Sequence, residues 1–237
     1  MKRIYKTVAV VPAPGTDGKA GGWQVRLDAR VLKSPAKADL VLPTEALARA
    51  VAAEWDAQGD TVVPDSMPMM QLASTCVDRV GPQRATILDG AAAYGGTDLL
   101  CYRAAEPAKL AERQARAWQP LLDWAALRYD ALLQTTTGIM HRAQDPVALN
   151  ALKRALEALD DWQLTGVQNA VALTGSLVLG LALFEGRIDA DQAFDLAELD
   201  ESFQIEQWGE DDEAKDRRAS LKADLAASLR YLEFLKA

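Results

Sequence analysis

Hydrophobic and polar residues alternate with a period of two near the start of the chain. Trp23, Val25 and Leu27 alternate with polar residues, as in a strand that buries one face. A β-branched run at residues 7–11 indicates a second strand. We therefore predict a small antiparallel sheet at the N-terminus. Its other predicted parts are a Gly- and Pro-rich loop at 12–22, a tight turn at 28–30, and strands at 31–33 and 40–42.

From Pro43 onward the apolar residues recur at helical spacing instead. Thr44 is a typical N-cap residue, and the helical pattern that follows it continues to Gly59. Pro120, inside a long helical pattern, predicts a kink or a local break. Residues 98–102 suit a strand or a turn of helix, and residues 132–140 suit an extended segment. The predicted helices cover residues 44–59, 69–80, 82–94, 108–129, 146–159, 164–185, 190–208 and about 210–236.

This order of elements predicts the α+β class, with a small N-terminal antiparallel β-containing domain followed by a mainly helical C-terminal domain. We place the domain boundary near residues 104–107, which gives an N-terminal domain at 1–105 and a helical domain at 106–237. Trp23 and Trp55 are predicted to pack in the core.

Signals for compartment and targeting favour a soluble cytoplasmic protein. The two cysteines, Cys76 and Cys101, lie in apolar surroundings and form no metal-binding motif. The N-terminus shows no apolar leader pattern. The most apolar stretch, residues 170–184, is shorter than the roughly 20 residues needed to span a bilayer, so we predict a buried core helix and no membrane insertion.

The net charge of −8 argues against a general nucleic-acid binder, because such proteins gain affinity from basic residues on phosphate. Its distribution is uneven. Residues 189–216 hold twelve acidic residues and one base, Lys215, for a local charge of −11, and the rest of the chain carries +3. Such a segment is more often a solvated face, but it can also recognise a basic partner.

Candidate chemistry is sparse. His141 is the only histidine and stands outside any nucleophile motif, so a loop or surface role is favoured over catalysis. The glycines form neither of the two phosphate-binding motifs, GxxxxGK[ST] and GxGxxG. The four consecutive acids at residues 210–213 lack the spacing of a calcium loop, and on a helix they would point in different directions. We expect no metal site and no cofactor.

The acidic segment is better suited to binding. Glu206, Glu210 and Glu213 are spaced so that on one helix they would share a face, where a basic partner would relieve their mutual repulsion. Trp208 offers an apolar anchor beside them. In the alternative interpretation, Trp208 packs into the core and the acids cap the following helix. The predicted partner-binding residues are Glu206, Trp208, Glu210, Asp211 and Glu213.

Several blocks along the chain resemble one family. They include Trp23 to Asp28, the Glu54-Trp55-Asp56 block, Thr97 to Ala104 and Gln204 to Ala214. Together they resemble the F1-ATPase assembly chaperones that act on the F1 α subunit. The chain resembles a bacterial member of that family. The resemblance covers nearly the whole chain in order, with Ala29, Met70 and Gln71 departing from the family pattern.

The resemblance implies a non-enzymatic chaperone of the ATP synthase. It would bind the unassembled α subunit transiently and hide the surface that otherwise meets β, without a cofactor and without ATP hydrolysis. Two other classes stay open at this point. One is a carboxylate-dependent enzyme, with an acid/base pair in a cavity lined by Asp98, Glu201 or Glu206. The other is a structural subunit retained in the finished complex.

Overall fold

The computed structural model describes residues 2–15 and 21–236. Within them lie five strands and ten α-helices. The strands are β1 (Val8–Pro12), β2 (Trp23–Leu27), β3 (Arg30–Val31), β4 (Tyr102–Arg103) and β5 (Thr136–Thr137). The helices are α1 (Glu45–Asp56), α2 (Pro68–Thr75), α3 (Arg84–Ala93), α4 (Ala108–Tyr129), α5 (Pro146–Glu157), α6 (Asp161–Thr174), α7 (Leu177–Phe184), α8 (Ala190–Ala197), α9 (Leu199–Trp208) and α10 (Asp212–Phe234).

The predicted α+β class is confirmed, since a small antiparallel sheet precedes a mostly helical region. The chain divides into two compact units. The first contains Met1–Arg84, Asp161–Thr165 and Arg230–Ala237, and the second contains Ala85–Asp160 and Gly166–Leu229. The predicted division at residue 105 stays a prediction.

The N-terminal sheet has the order β1-β2-β3, with both pairs antiparallel. Val25, at the centre of β2, lies opposite Val10 and is almost fully buried, as the period-2 pattern predicts. The turn after β2 is stabilised by Asp28, whose carboxylate accepts hydrogen bonds from the Lys6 and Thr7 amides. Two predictions here need qualification. Residues 40–42 form no strand and contribute only a bridge to Trp23, and part of the predicted 12–22 loop lies outside the described residues.

Helix α1 begins where Thr44 accepts a hydrogen bond from the Leu47 amide, which confirms the predicted N-cap. Its buried face includes Val51 and Trp55. Glu54 accepts hydrogen bonds from two amides in the first turn of α2, so a carboxylate satisfies donors that the helix itself leaves unpaired. The predicted core position of Trp55 is confirmed, whereas Trp23 is half-buried.

Two predicted helices are each divided in the structure. The pattern over 164–185 forms α6 and α7, because Gly175 takes a positive φ of 66° and Ser176 caps the next helix by accepting from the Leu179 amide. The pattern over 190–208 forms α8 and α9, with the break at Glu198. The apolar stretch 170–184 is therefore a buried helix–turn–helix rather than one helix.

Two other predictions are wrong in part. Pro120 causes no break in α4, which is helical throughout. In the predicted extended segment 132–140, only β5 pairs as a strand, in parallel with β4. The segment 98–102 combines both predicted forms, a short 3₁₀ turn followed by the start of β4.

The break between α6 and α7 is stabilised from a distance by Asp98, which is fully buried. Its carboxylate accepts hydrogen bonds from the Ser176 hydroxyl at 2.7 Å, the Val178 amide at 3.0 Å and the Leu100 amide at 3.1 Å. Burial raises the pKa of Asp98 to about 6, against the lowering effect of these donors. This carboxylate is a structural element of the second unit. No helix in the described part of the chain is both long enough and apolar enough to cross a membrane.

Candidate functional site

The predicted binding residues lie where α9 ends and α10 begins. Helix α9 ends at Trp208, Gly209 turns the chain with φ 86° and ψ 172°, and α10 begins at Asp212. We call residues 206–213 the acidic elbow. Glu206, Glu210 and Glu213 therefore do not share one face of one helix, and that expectation is wrong because Gly209 ends α9 between them.

Trp208 is 80% exposed. It occupies the last position of α9, immediately before the turn. The interpretation that placed it in the core is wrong. A large ring held in water beside carboxylates can act as an anchor for a partner, because its burial there would release apolar surface from water.

Glu206 is bound within the chain. The guanidinium of Arg113, in α4, donates to both of its carboxylate oxygens, at 2.6 and 2.8 Å. Arg113 also lies over the ring of Phe203, one turn earlier in α9, at 5.2 Å from its centroid. The hydrogen bond from Arg113 lowers the pKa of Glu206, so this side chain remains a carboxylate in mildly acidic solution.

The other acids of the elbow have unequal roles. Glu210 lies 3.3 Å from the Nε atom of Arg218. Asp211 caps α10 by accepting a hydrogen bond from the Ala214 amide at 2.8 Å, so the capping interpretation is correct for this residue. Glu213 is exposed in the first turn of α10, and no described residue forms an ion pair with it. The negative charges most available to a partner are thus those of Glu213 and of Asp212, which is also exposed in this turn and forms no ion pair with a described residue.

Two arginines just beyond the acidic segment neutralise part of it. Arg217 and Arg218 both bind Glu198, which is almost fully buried at the break between α8 and α9, at 2.8 and 3.0 Å. Arg217 also binds Glu201. The net charge of −11 therefore overstates the charge that this region presents to solvent.

A metal site and an acid/base site both need carboxylates that converge. In the described residues, no group of three or more His, Cys, Asp or Glu side chains could hold a metal ion. Of the three residues considered for acid/base chemistry, Asp98 holds the α6–α7 turn, while Glu201 and Glu206 bind different arginines. His141 is exposed in a loop, with its Nδ1 atom 3.0 Å from the Tyr102 hydroxyl.

Sequence reasoning missed several exposed apolar side chains in the second unit, in and after the segment following α4. Ile139 is 96% exposed, at the tip of a loop that β4 and β5 hold at its base. The side chain of Gln144 bonds both the amide and the carbonyl of Gln134, which ties the ends of the loop together. The sequence does contain a signal for this loop, because the apolar residues Ile139 and Met140 directly follow Gly138. The large exposed apolar residues between positions 132 and 147 are Leu132, Ile139, Met140 and Val147.

Comparisons with known proteins point to one family. A family model described as ATP12 chaperone protein matches residues 2–126. The crystal structure of Atp12 from Paracoccus denitrificans is 42% identical, with a TM-score of 0.92 over 99% of this chain and 98% of that chain. The Atu1473 protein of Agrobacterium tumefaciens is 39% identical, with a TM-score of 0.92 over 99% and 86% of the two chains.

The mitochondrial protein atp12 of Schizosaccharomyces pombe is 26% identical over 247 residues, which cover 96% of this chain and 80% of that protein. The family match spans more than half of the chain, and the similarity to a bacterial structure extends over nearly all of it. The chain therefore belongs to the ATP12 family, whose members are assembly chaperones for the F1 sector of ATP synthase and not enzymes.

Proposed function

We propose that this protein binds the F1 α subunit before assembly and covers the surface that α otherwise presents to β. The observation that carries the proposal is the acidic elbow, where an exposed Trp208 follows Glu206 and precedes Glu213 in the chain. An unassembled subunit exposes an interface that would otherwise aggregate, and a chaperone must offer complementary apolar and charged groups to cover it.

The contacts within the elbow give its residues different proposed roles. Trp208 is the anchor, because few of its atoms are already buried. Glu213 attracts basic residues of the client directly, whereas Glu206 stays paired with Arg113 and adds to the negative charge of the elbow as a whole. Glu210 and Asp211 contribute less, since Arg218 and the first turn of α10 already engage them. Charge of this kind speeds encounter and selects the partner more than it raises affinity.

The proposed association is transient and takes place in the cytoplasm. Helices α9 and α10 would leave the α subunit when β replaces them in the hexamer. A subunit retained in the finished complex would behave differently, since it would be recovered in a fixed ratio with assembled F1.

A pull-down with separately expressed α and β subunits tests the partner. We expect capture of α and not of β. Trp208→Ala should weaken capture of α at least tenfold, an effect of about 1.4 kcal/mol, which is typical of a truncated anchor. Leu127→Ala is the matched control, because Leu127 is 87% exposed in the same unit and lies outside the elbow. Capture of β alone, or equal capture by both variants, would contradict the proposal.

A competition assay tests the shielding. A preformed complex with α is mixed with β, and the released chaperone is measured as β binds. We expect one chaperone released for each β bound. A stable complex of all three proteins would mean that the chaperone covers a different surface of α.

A further inference from the structure

The first unit contains an open groove of about 620 Å³ between the end of the N-terminal sheet and helices α1 and α2. Its walls are almost entirely apolar. We call it the methionine groove and define it by Leu32, Trp55, Val62, Met67, Met70 and Ser74. Methionine side chains adapt to differently shaped apolar partners, which suits a surface that accepts more than one sequence.

Two residues that line the groove each carry a buried polar atom without a partner among the described residues. These atoms are the indole Nε1 of Trp55 and the hydroxyl of Ser74, and both residues are more than nine-tenths buried. Neighbouring polar groups are satisfied. The Thr75 hydroxyl donates to the Gln71 carbonyl, and the Trp55 carbonyl accepts from the Tyr5 hydroxyl. Buried donors are rarely left unpaired, so these two atoms indicate a ligand that offers hydrogen bonds.

The charged residues at the mouth of the groove also divide into those that have a partner and one that has none among the described residues. Asp78 accepts hydrogen bonds from Ser34 and from the Ala36 amide, and Lys33 forms an ion pair with Asp39 at 2.9 Å. Arg79 is exposed and forms no ion pair with any described residue. A ligand with an acidic group near Arg79 would complete the pattern.

We infer that the methionine groove binds an extended apolar segment of the client polypeptide, with an acidic side chain near Arg79. A peptide unit supplies an acceptor for the Trp55 N–H and a hydrogen-bonding partner for the Ser74 hydroxyl, and its side chains fill the apolar walls. The occupant is a client chain and so rests on the proposed function, but the site is independent of the acidic elbow.

The test uses the full-length protein and an array of overlapping 12-residue peptides that span the F1 α and β subunits. We expect binding of apolar peptides that carry an acidic residue at one end. The strongest peptide is then labelled, and its affinity is measured by fluorescence anisotropy against the unmodified protein and two serine variants. Pull-down of whole α is measured in parallel, so a failure of the groove is distinguishable from a failure of the proposed function.

Ser74→Ala should weaken the peptide about fivefold, the size of one lost hydrogen bond, while the midpoint of unfolding is unchanged or raised. Ser228→Ala is the matched control. Ser228 is also buried, but its hydroxyl donates to the Asp224 carbonyl and accepts from Asn169, each at 2.9 Å. This variant should unfold more easily and bind the peptide unchanged. Opposite effects on stability and binding would distinguish a ligand-directed hydroxyl from a structural one.

Arg79→Glu should weaken the same peptide, and a peptide with Lys in place of its acid should recover affinity for that variant. The inference fails if no peptide binds, or if Ser74→Ala leaves the affinity of the peptide unchanged. It also fails if decanoate binds the groove while no peptide does, because the groove would then be a site for a small apolar ligand.

Discussion

Arg113 of α4 holds both carboxylate oxygens of Glu206 in α9, with 2.6 Å between Nη1 and Oε1 and 2.8 Å between Nη2 and Oε2. The two residues are 93 positions apart in the sequence. The charge of Glu206 is therefore engaged inside the molecule before any partner arrives. Whether this carboxylate serves recognition or only holds α9 against α4 can be decided by removing each partner separately.

We predict that Glu206→Gln slows association with the α subunit and makes its rate less sensitive to salt, because one attracting charge is lost. Arg113→Gln breaks the same ion pair but leaves the acid, so association should be unchanged or faster. Both rates can be measured by biolayer interferometry at two salt concentrations. Equal slowing by both variants would show that the pair acts only as a structural contact.

Gly209 gives a test of the geometry of the elbow. Its φ of 86° and ψ of 172° belong to a region that only glycine adopts without strain, and no atom lies within 4 Å of the position of an added Cβ. Gly209→Ala should cost about 1–3 kcal/mol of stability and weaken capture of α, because Trp208 and the acids shift relative to each other.

Gly186→Ala is the matched control for that variant. Gly186 also has a positive φ, 71°, and open space around it, but it follows α7. The Gly186→Ala variant should lose about as much stability as Gly209→Ala but still capture α. Denaturant unfolding measures the stability, and pull-down measures the capture. Loss of capture in both variants would attribute the effect to stability alone.

Asp98→Ala should destabilise the protein by about 3 kcal/mol or more. The substitution leaves the Ser176 hydroxyl and the Val178 and Leu100 amides without the acceptor that they share, in a fully buried site. Asp123→Ala is the control, because that carboxylate is exposed and, among the described residues, bonds only Gln119 of its own helix. It should change stability by less than about 0.5 kcal/mol. Urea unfolding of both variants measures the difference.

The same carboxyl group predicts a pH dependence. The pKa of Asp98 is about 6 in the folded protein, against an ordinary aspartate value of 3.8 in the unfolded chain, so the folded form keeps a proton that the unfolded form releases. Raising the pH from about 4 to 6 should therefore remove stability, by at most about 1.4 kcal/mol per pH unit from this group. Asp98→Asn cannot titrate. The free energy of unfolding of the unmodified protein minus that of Asp98→Asn should therefore decrease as the pH rises from about 4 to 6.

The sequence predicts those parts of the fold that depend on near neighbours. The alternation from Trp23 to Leu27 predicts β2, and Thr44 predicts the start of α1, because a strand face and an N-cap are set within a few residues. The α6–α7 break is different. Its apolar run continues across Gly175, and the turn is held by Asp98, some 80 positions away.

In the candidate site, too, only the features that depend on near neighbours could be predicted from the sequence. The elbow was located from its Trp and its acids, but the positions of its charges depend on arginines elsewhere. The acidic segment ends at residue 216, directly before Arg217 and Arg218, which fold back onto Glu198. The methionine groove combines residues from 32 to 79, and no local pattern brings them together.

The connection between α9 and α10 has a kinetic consequence. Arg113 holds Glu206 on one side of Gly209, while Arg218 binds Glu210 and Asp211 caps α10 on the other. The elbow is thus ordered before a client arrives, and little chain entropy remains to be lost on contact. Association should follow a single exponential whose rate rises linearly with client concentration, without the plateau that a slow folding step in the chaperone would impose.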